Sequence, residues 1–144
     1  MNLEEKLKML QLCYVAALAD STLRYSNEGI LEKITEQKRN EQMENGAMLA
    51  GKFGVQDPKR AFVNVQSLFG CASWNCEDVA DGFFAVNMSC TLCSMCKKMG
   101  TNSPCQLFCL SPIEAMIRSI KPDSTFSIRK TLWNDDKCIV KVGL

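Results

Sequence analysis

Five of the nine cysteines of this 144-residue chain fall between Ser89 and Cys109, in the stretch S-C-T-L-C-S-M-C-K-K-M-G-T-N-S-P-C-Q-L-F-C. They are Cys90, Cys93, Cys96, Cys105 and Cys109, and Cys71 and Cys76 stand just upstream. Thiols at this density can ligate a metal, attack a substrate or pair as disulfides. The chain contains no histidine. Ser-His-Asp and Cys-His arrangements are therefore excluded, as is any metal site with a histidine ligand. Protons would have to move through Asp, Glu, Lys, Tyr, a second thiolate or the N-terminal amine.

Two chemistries stay open for this stretch. The first is metal binding. Cys90, Cys93 and Cys96 are spaced C-x2-C-x2-C, which brings three thiols close in any local conformation, and Cys105 or Cys109 can return as a fourth ligand. Four thiolates suit zinc, and a three-plus-one set suits an iron–sulfur cluster. The spacing departs from both usual patterns. Gly100 and Thr101 stand where a ferredoxin run needs its fourth cysteine, and the second pair is C-x3-C rather than C-x2-C.

The second chemistry is a reactive thiolate. Ser89, Ser103 and Ser111 each read as a helix N-cap. That puts Cys90 at the first helical position, Cys105 at the second, and Cys109 two residues before the third cap. Backbone N–H groups and the helix dipole lower a thiol pKa in such places. The nucleophile would be Cys93 or Cys105, and Glu77, Asp78 or Asp81 would carry protons. The plain alternative is that cysteines are small buried apolar residues. For Cys13, Cys71, Cys76, Cys109 or Cys138 taken singly, packing is the better reading. Trp74, Phe83, Phe84 and Trp133 read as core or pocket wall.

The length suits one domain, 1–144, with a helical part over 1–50 and a cysteine-rich α+β part over 51–144. Net charge is +1, which gives no sign of nucleic acid or an anionic membrane as partner. Met1–Glu5 is acidic and no apolar run approaches bilayer length, so a cytoplasmic location is expected. A reducing compartment and an odd cysteine count argue against a disulfide framework.

The elements that must position the thiols follow from pattern. Asn2 caps a helix over 2–23, whose apolar face is Leu3, Leu7, Leu10, Tyr14, Ala17 and Leu18. A break at 24–27 precedes a second helix to about Met43. Its outer half is almost wholly polar, so it faces solvent, moves, or packs on a partner, and residues 26–50 become the expected homo-oligomer contact. Asp57-Pro58 starts a helix that ends at Gly70. Residues 74–81 are a loop or strand, and 83–88 a strand. Ser111-Pro112-Ile113-Glu114 reads as a capping box opening a helix that stops at Lys121-Pro122. Alternation over 126–132 and 138–142, around Asn134–Lys137, predicts a terminal hairpin. Helices first and antiparallel strands later give an α+β fold, N-terminal helices packed on an antiparallel sheet.

W-N-C-E-D at Trp74–Asp78, the C-x2-C group, P-C-x3-C-x2-P at Pro104–Pro112, and the closing T-L-W-N-D-D-K-C-I-V-K-V resemble the bacterial family of L-2-amino-thiazoline-4-carboxylic acid hydrolases. The resemblance covers about 71–142. The tail is also similar to that of 4-vinyl-reductase-type small-molecule-binding domains, with Asp135 where those tails carry Gly and Cys138 opening the last strand. The resemblance implies a pocket between helices and sheet. It also implies either hydrolysis of a C–N bond in a cyclic thiazoline-type acid or binding of a small molecule. In some such sensors a cysteine about eight residues before the tail cysteine holds zinc; here that position is Lys130. Two functions are thus expected: a hydrolase with Cys93 or Cys105 as nucleophile and Glu77 or Asp78 as proton carrier, or a non-catalytic module binding a small molecule or a metal. In the metal form the ligands come from Cys90, Cys93, Cys96, Cys105 and Cys109.

Overall fold

The structure, a computed structural model, describes residues 1–144. Asn2 caps α1 (Leu3–Asn27) through a complete capping box with Glu5. The helix runs through the expected break and turns only at Gly29, where φ is +70°. Its first half stands away from the body. Leu3, Leu7 and Leu10 are exposed and Tyr14 is half-buried at most, so the apolar face read from spacing is not what α1 buries. The buried face is Val15, Ala19 and Thr22, and Cys13 is exposed rather than packed.

Helix α2 (Leu31–Glu44) is polar yet docked. Arg39 forms an ion pair with Glu114 of α6 (Ser111–Ile120), and the Gln42 side chain donates to the Leu107 carbonyl at 3.3 Å. These contacts dock it on this chain's own α6, while Glu36, Gln37, Lys38, Asn40 and Glu41 face solvent as the polar run implies. Helix α3 (Gly46–Lys52) follows at once. It approaches α6 so closely that a Cβ on Gly46 would collide with the Ala115 carbonyl, so only glycine fits there. Helix α4 (Pro58–Phe69) starts at the Asp57 cap, with Pro58 inside the first turn, and ends on Gly70 in the left-handed region.

Strands β1 (Ala72–Val79), β2 (Gly82–Cys90), β3 (Thr125–Lys130) and β4 (Cys138–Gly143) form one antiparallel sheet of order β1-β2-β4-β3. The fold is α+β. One face of β2 and β4 is buried in alternation: Phe83, Ala85 and Asn87 beside Val142, Val140 and Cys138. Phe62, Ile113, Met116 and Ile117 from α4 and α6 pack into the same core. Ring edges of Trp74 and Phe83 meet Phe62.

Between Met99 and the sheet's last two strands the chain departs from its local signals. Helix α5 (Thr91–Met99) is capped by Cys90, not Ser89. The helix expected to open at Ser111 is instead continuous from Cys105. Gln106–Leu110 is π-helical, and the Ser111 N–H donates to the Gln106 carbonyl five residues back. Pro112 explains the change of register. It has no N–H to give the Phe108 carbonyl, so the helix upstream is wound one residue wider. Glu114 is therefore no capping residue; it is buried and holds Arg39 and Arg118.

Candidate functional site

The thiols meet where the end of β2, the start of α5 and the start of the π-helical segment converge. Cys93 Sγ lies 3.3 Å from Cys105 Sγ, with both residues buried. Cys90 Sγ caps α5 by accepting the Cys93 N–H at 3.4 Å. The Cys71 thiol, from the chain entering β1, and the Cys93 thiol both stand close enough to influence the Cys90 sulfur. A cap position suits an anion, because it faces unpaired amides and the positive end of the helix. Hydrogen bonds from the Cys71 and Cys93 thiols, then from the Cys93 and Leu92 amides, hold Cys90 well below the usual thiol range against the cost of burial. Cys105 is lowered as well, by the Cys93 thiol and by Ser103, whose Oγ also accepts the Cys105 N–H at 3.3 Å. Cys71 and Cys93 are pushed up as the proton-holding partners. The four sulfurs thus run Cys71, Cys90, Cys93, Cys105, with charge favoured on the second and fourth.

Cys90 and Cys93 border a cleft of about 250 Å³ whose other walls include Lys97, Leu132 and Asp135. Lys97 Nζ donates to the Leu132 carbonyl at 2.6 Å and lies 5.7 Å from the Trp133 ring centre, which fixes the loop before β4 over α5. Cys138 adds a fifth thiol at the edge, its Sγ accepting the Leu132 N–H at 3.2 Å. Burial keeps it protonated, up at about 11.

The expected proton carriers are elsewhere. Glu77 and Asp78 pair with Phe84 and Phe83, six and seven residues along β2 from Cys90. At about 3.3 Å per residue that is roughly 20 Å from the thiols. Asp78 is ion-paired with Lys59, and Asp81 with Lys141 at the far hairpin. The five expected metal ligands do not gather either. Cys96 turns into a separate cluster with Val15, Ala19 and Leu92, and Cys109 is desolvated and pushed well up. No group of three or more Cys, Asp or Glu side chains is arranged to hold a metal ion.

A second cavity, about 400 Å³, opens between α1, α2, α3, α4 and the π-helical segment. Leu49, Phe53, Phe69, Phe108 and Met116 give it an apolar interior, and Lys38 and Glu41 stand on its polar side. Tyr14 stacks on Phe69 at 4.8 Å and closes one wall. Gln42 is its most informative residue. Its Nε2 is used by the Leu107 carbonyl, while its Oε1 is buried with no partner. A buried acceptor without a donor is costly.

Sequence reasoning singled out none of these pocket residues except as helix faces. The signal was present in the coincidence of Pro112 with a helical pattern on both sides of it, since a proline inside a helix forces a local rearrangement. Compared with protein-family models, curated proteins and solved structures, the chain finds no match.

Proposed function

We propose that the protein is a small-molecule-binding domain whose ligand sits in the helical cavity. The observation that carries this reading is the buried, unpartnered Gln42 Oε1 on the wall of an apolar cavity of about 400 Å³. That volume lies in the range of ordinary ligand sites, and a few convergent polar groups in an apolar wall are their usual composition. The ligand class follows from the walls. It is a mainly apolar, ring-containing molecule with one N–H or O–H donor for Gln42, and Lys38, ion-paired with Glu41 at 3.3 Å, is the cation that an anionic group would meet there. The π-helical segment supports the same reading, because such bulges recur at binding sites.

The probe 1-anilinonaphthalene-8-sulfonate has this chemistry: aromatic rings, one N–H and one sulfonate. Fluorescence titration should show saturable one-to-one binding. Met48→Trp, at an exposed position on the cavity mouth, should abolish it, and Gln42→Leu should weaken it about tenfold. Equal, unsaturable fluorescence in all three proteins would sink the proposal.

A second reading, thiol-dependent hydrolysis of a C–N bond in a cyclic thiazoline-type acid, is supported by Cys90 beside an open cleft. Cys90 replaces Cys93 and Cys105 as the nucleophile in it. Lys97 and Asp135 replace Glu77 and Asp78 as the groups within reach of a bound substrate. The Cys90 sulfur would add to the ring C=N carbon, whose π pair goes to nitrogen with a proton from the Lys97 ammonium. Loss of turnover in Cys90→Ser but not in Glu77→Gln would be its signature. Turnover unchanged in Cys90→Ser would end it.

A further inference from the structure

We propose that Cys93 and Cys105 are a reversible dithiol–disulfide site, charged from solvent through Cys90. This goes beyond ligand binding in the helical cavity and does not depend on it. The geometry is specific. Two thiols twelve residues apart in sequence are held at 3.3 Å, one on α5 and one at the entry to the π-helical segment. Closing them to a bonded distance of about 2.05 Å needs a shift of little more than an ångström.

Access is provided by Cys90. It is the less buried of the two cysteines on the cleft, Cys90 and Cys93, and its sulfur sits against the Cys93 backbone amide at 3.4 Å. The co-reactant is a low-molecular-weight disulfide, RSSR. Cys90 as thiolate attacks one sulfur of RSSR; that S–S bond breaks and RS⁻ leaves. Cys93 gives its proton to the departed RS⁻, forming RSH, and attacks the Cys90 sulfur, expelling the second RS⁻. Cys105 as thiolate then attacks the Cys93 sulfur, forming Cys93–Cys105 and releasing Cys90 as thiolate. Two cysteines are oxidised, RSSR is reduced by the same two electrons, and Cys90 is regenerated. Exchange sites of this kind are the usual form of a disulfide in a reducing compartment.

The test uses the folded full chain with oxidised glutathione near neutral pH. An acid quench, alkylation in denaturant and non-reducing peptide mapping by mass spectrometry follow. The expected product is one linkage, Cys93 to Cys105, with alkylatable thiols falling from nine to seven and returning to nine with dithiothreitol. Cys90→Ser should form the same linkage roughly tenfold more slowly. Linkages spread over other pairs, a stable glutathione adduct on Cys90 with no transfer, or linkage only after urea is added would each overturn the proposal. The wild-type map decides the matter even if the variant does not fold, and it contains no cavity ligand, so its failure is separate from failure of the binding reading.

Discussion

Arg39 and Glu114, seventy-five residues apart, form the ion pair that holds α2 against α6. Glu114 is buried and Arg39 is partly exposed. Arg118 grips the other carboxylate oxygen at 3.0 Å. The pair matters for the cavity because Lys38, Glu41 and Gln42 on the same helix form one of its walls. Arg39→Met should therefore cost about 1 kcal/mol, since Arg118 stays with Glu114 and solvent screens the exposed arginine. It should weaken probe binding by more than it lowers stability suggests. Urea denaturation and fluorescence titration on the same sample read the two effects.

Pro112→Ala returns an N–H that can reach the Phe108 carbonyl. The helix from Cys105 to Ile120 could then relax from π to α winding, turning Leu107 and Phe108 on the cavity wall. Stability should hold or rise slightly, while probe affinity drops several-fold. Unchanged affinity would mean that the π-helical winding does not shape the cavity.

Cys90 should be the fastest thiol toward iodoacetamide, with a rate nearly flat from pH 6 to pH 8 on the order of a solution thiol already ionised. The cap geometry and the thiol donors that lower it are the cause. Competitive labelling with peptide-level mass spectrometry measures this. Faster labelling of Cys93 or Cys105 would contradict the order of charge along the four sulfurs.

High pH should destabilise the fold. Burial or a neighbouring thiol raises Cys71, Cys76, Cys93, Cys96, Cys109 and Cys138. These six stay protonated in the folded chain where the unfolded chain ionises. Their stabilisation is complete below pH 9.0 and is lost as pH rises through the folded values, about 11 for Cys138. Each contributes at most about 1.4 kcal/mol per pH unit in that window. The two lowered thiols, Cys90 and Cys105, act in the opposite sense and on the acid side. Melting temperature should fall between pH 9 and 11, less steeply in Cys138→Ala. A flat profile there would mean that the thiols are solvated.

The parts of the fold that were readable from sequence are those written in local chemistry. Asn2 with Glu5, Asp57 with Pro58, and Gly70 set helix ends within their own turns. The alternation around Asn134–Lys137 fixed the hairpin of β3 and β4. Ser111-Pro112 misleads because a proline start and a proline bulge carry the same residues; only the helix upstream distinguishes them. The polar run of α2 does not name its partners, Glu114 and the Leu107 carbonyl, because they are over sixty residues away. Glu77 and Asp78 stand near Cys76 in sequence, but strand register carries them to the other end of the sheet from Cys90. The cysteine stretch was legible as chemistry, while its division into Cys90-Cys93-Cys105 and a separate Cys96 depended on which helix face met α1.

The most direct test of ligand binding in the helical cavity uses the methionine methyl groups. Met48 and Met116 line the cavity, Met88 lines the thiol cleft, and Met1 is exposed on α1's free end. Methyl NMR spectra of methionine-labelled protein, titrated with 1-anilinonaphthalene-8-sulfonate, separate these places in one experiment. Saturable shifts are expected at Met48 and Met116, with Met1 and Met88 unmoved. Shifts confined to Met88, or small unsaturable shifts at every methyl, would contradict binding in the helical cavity.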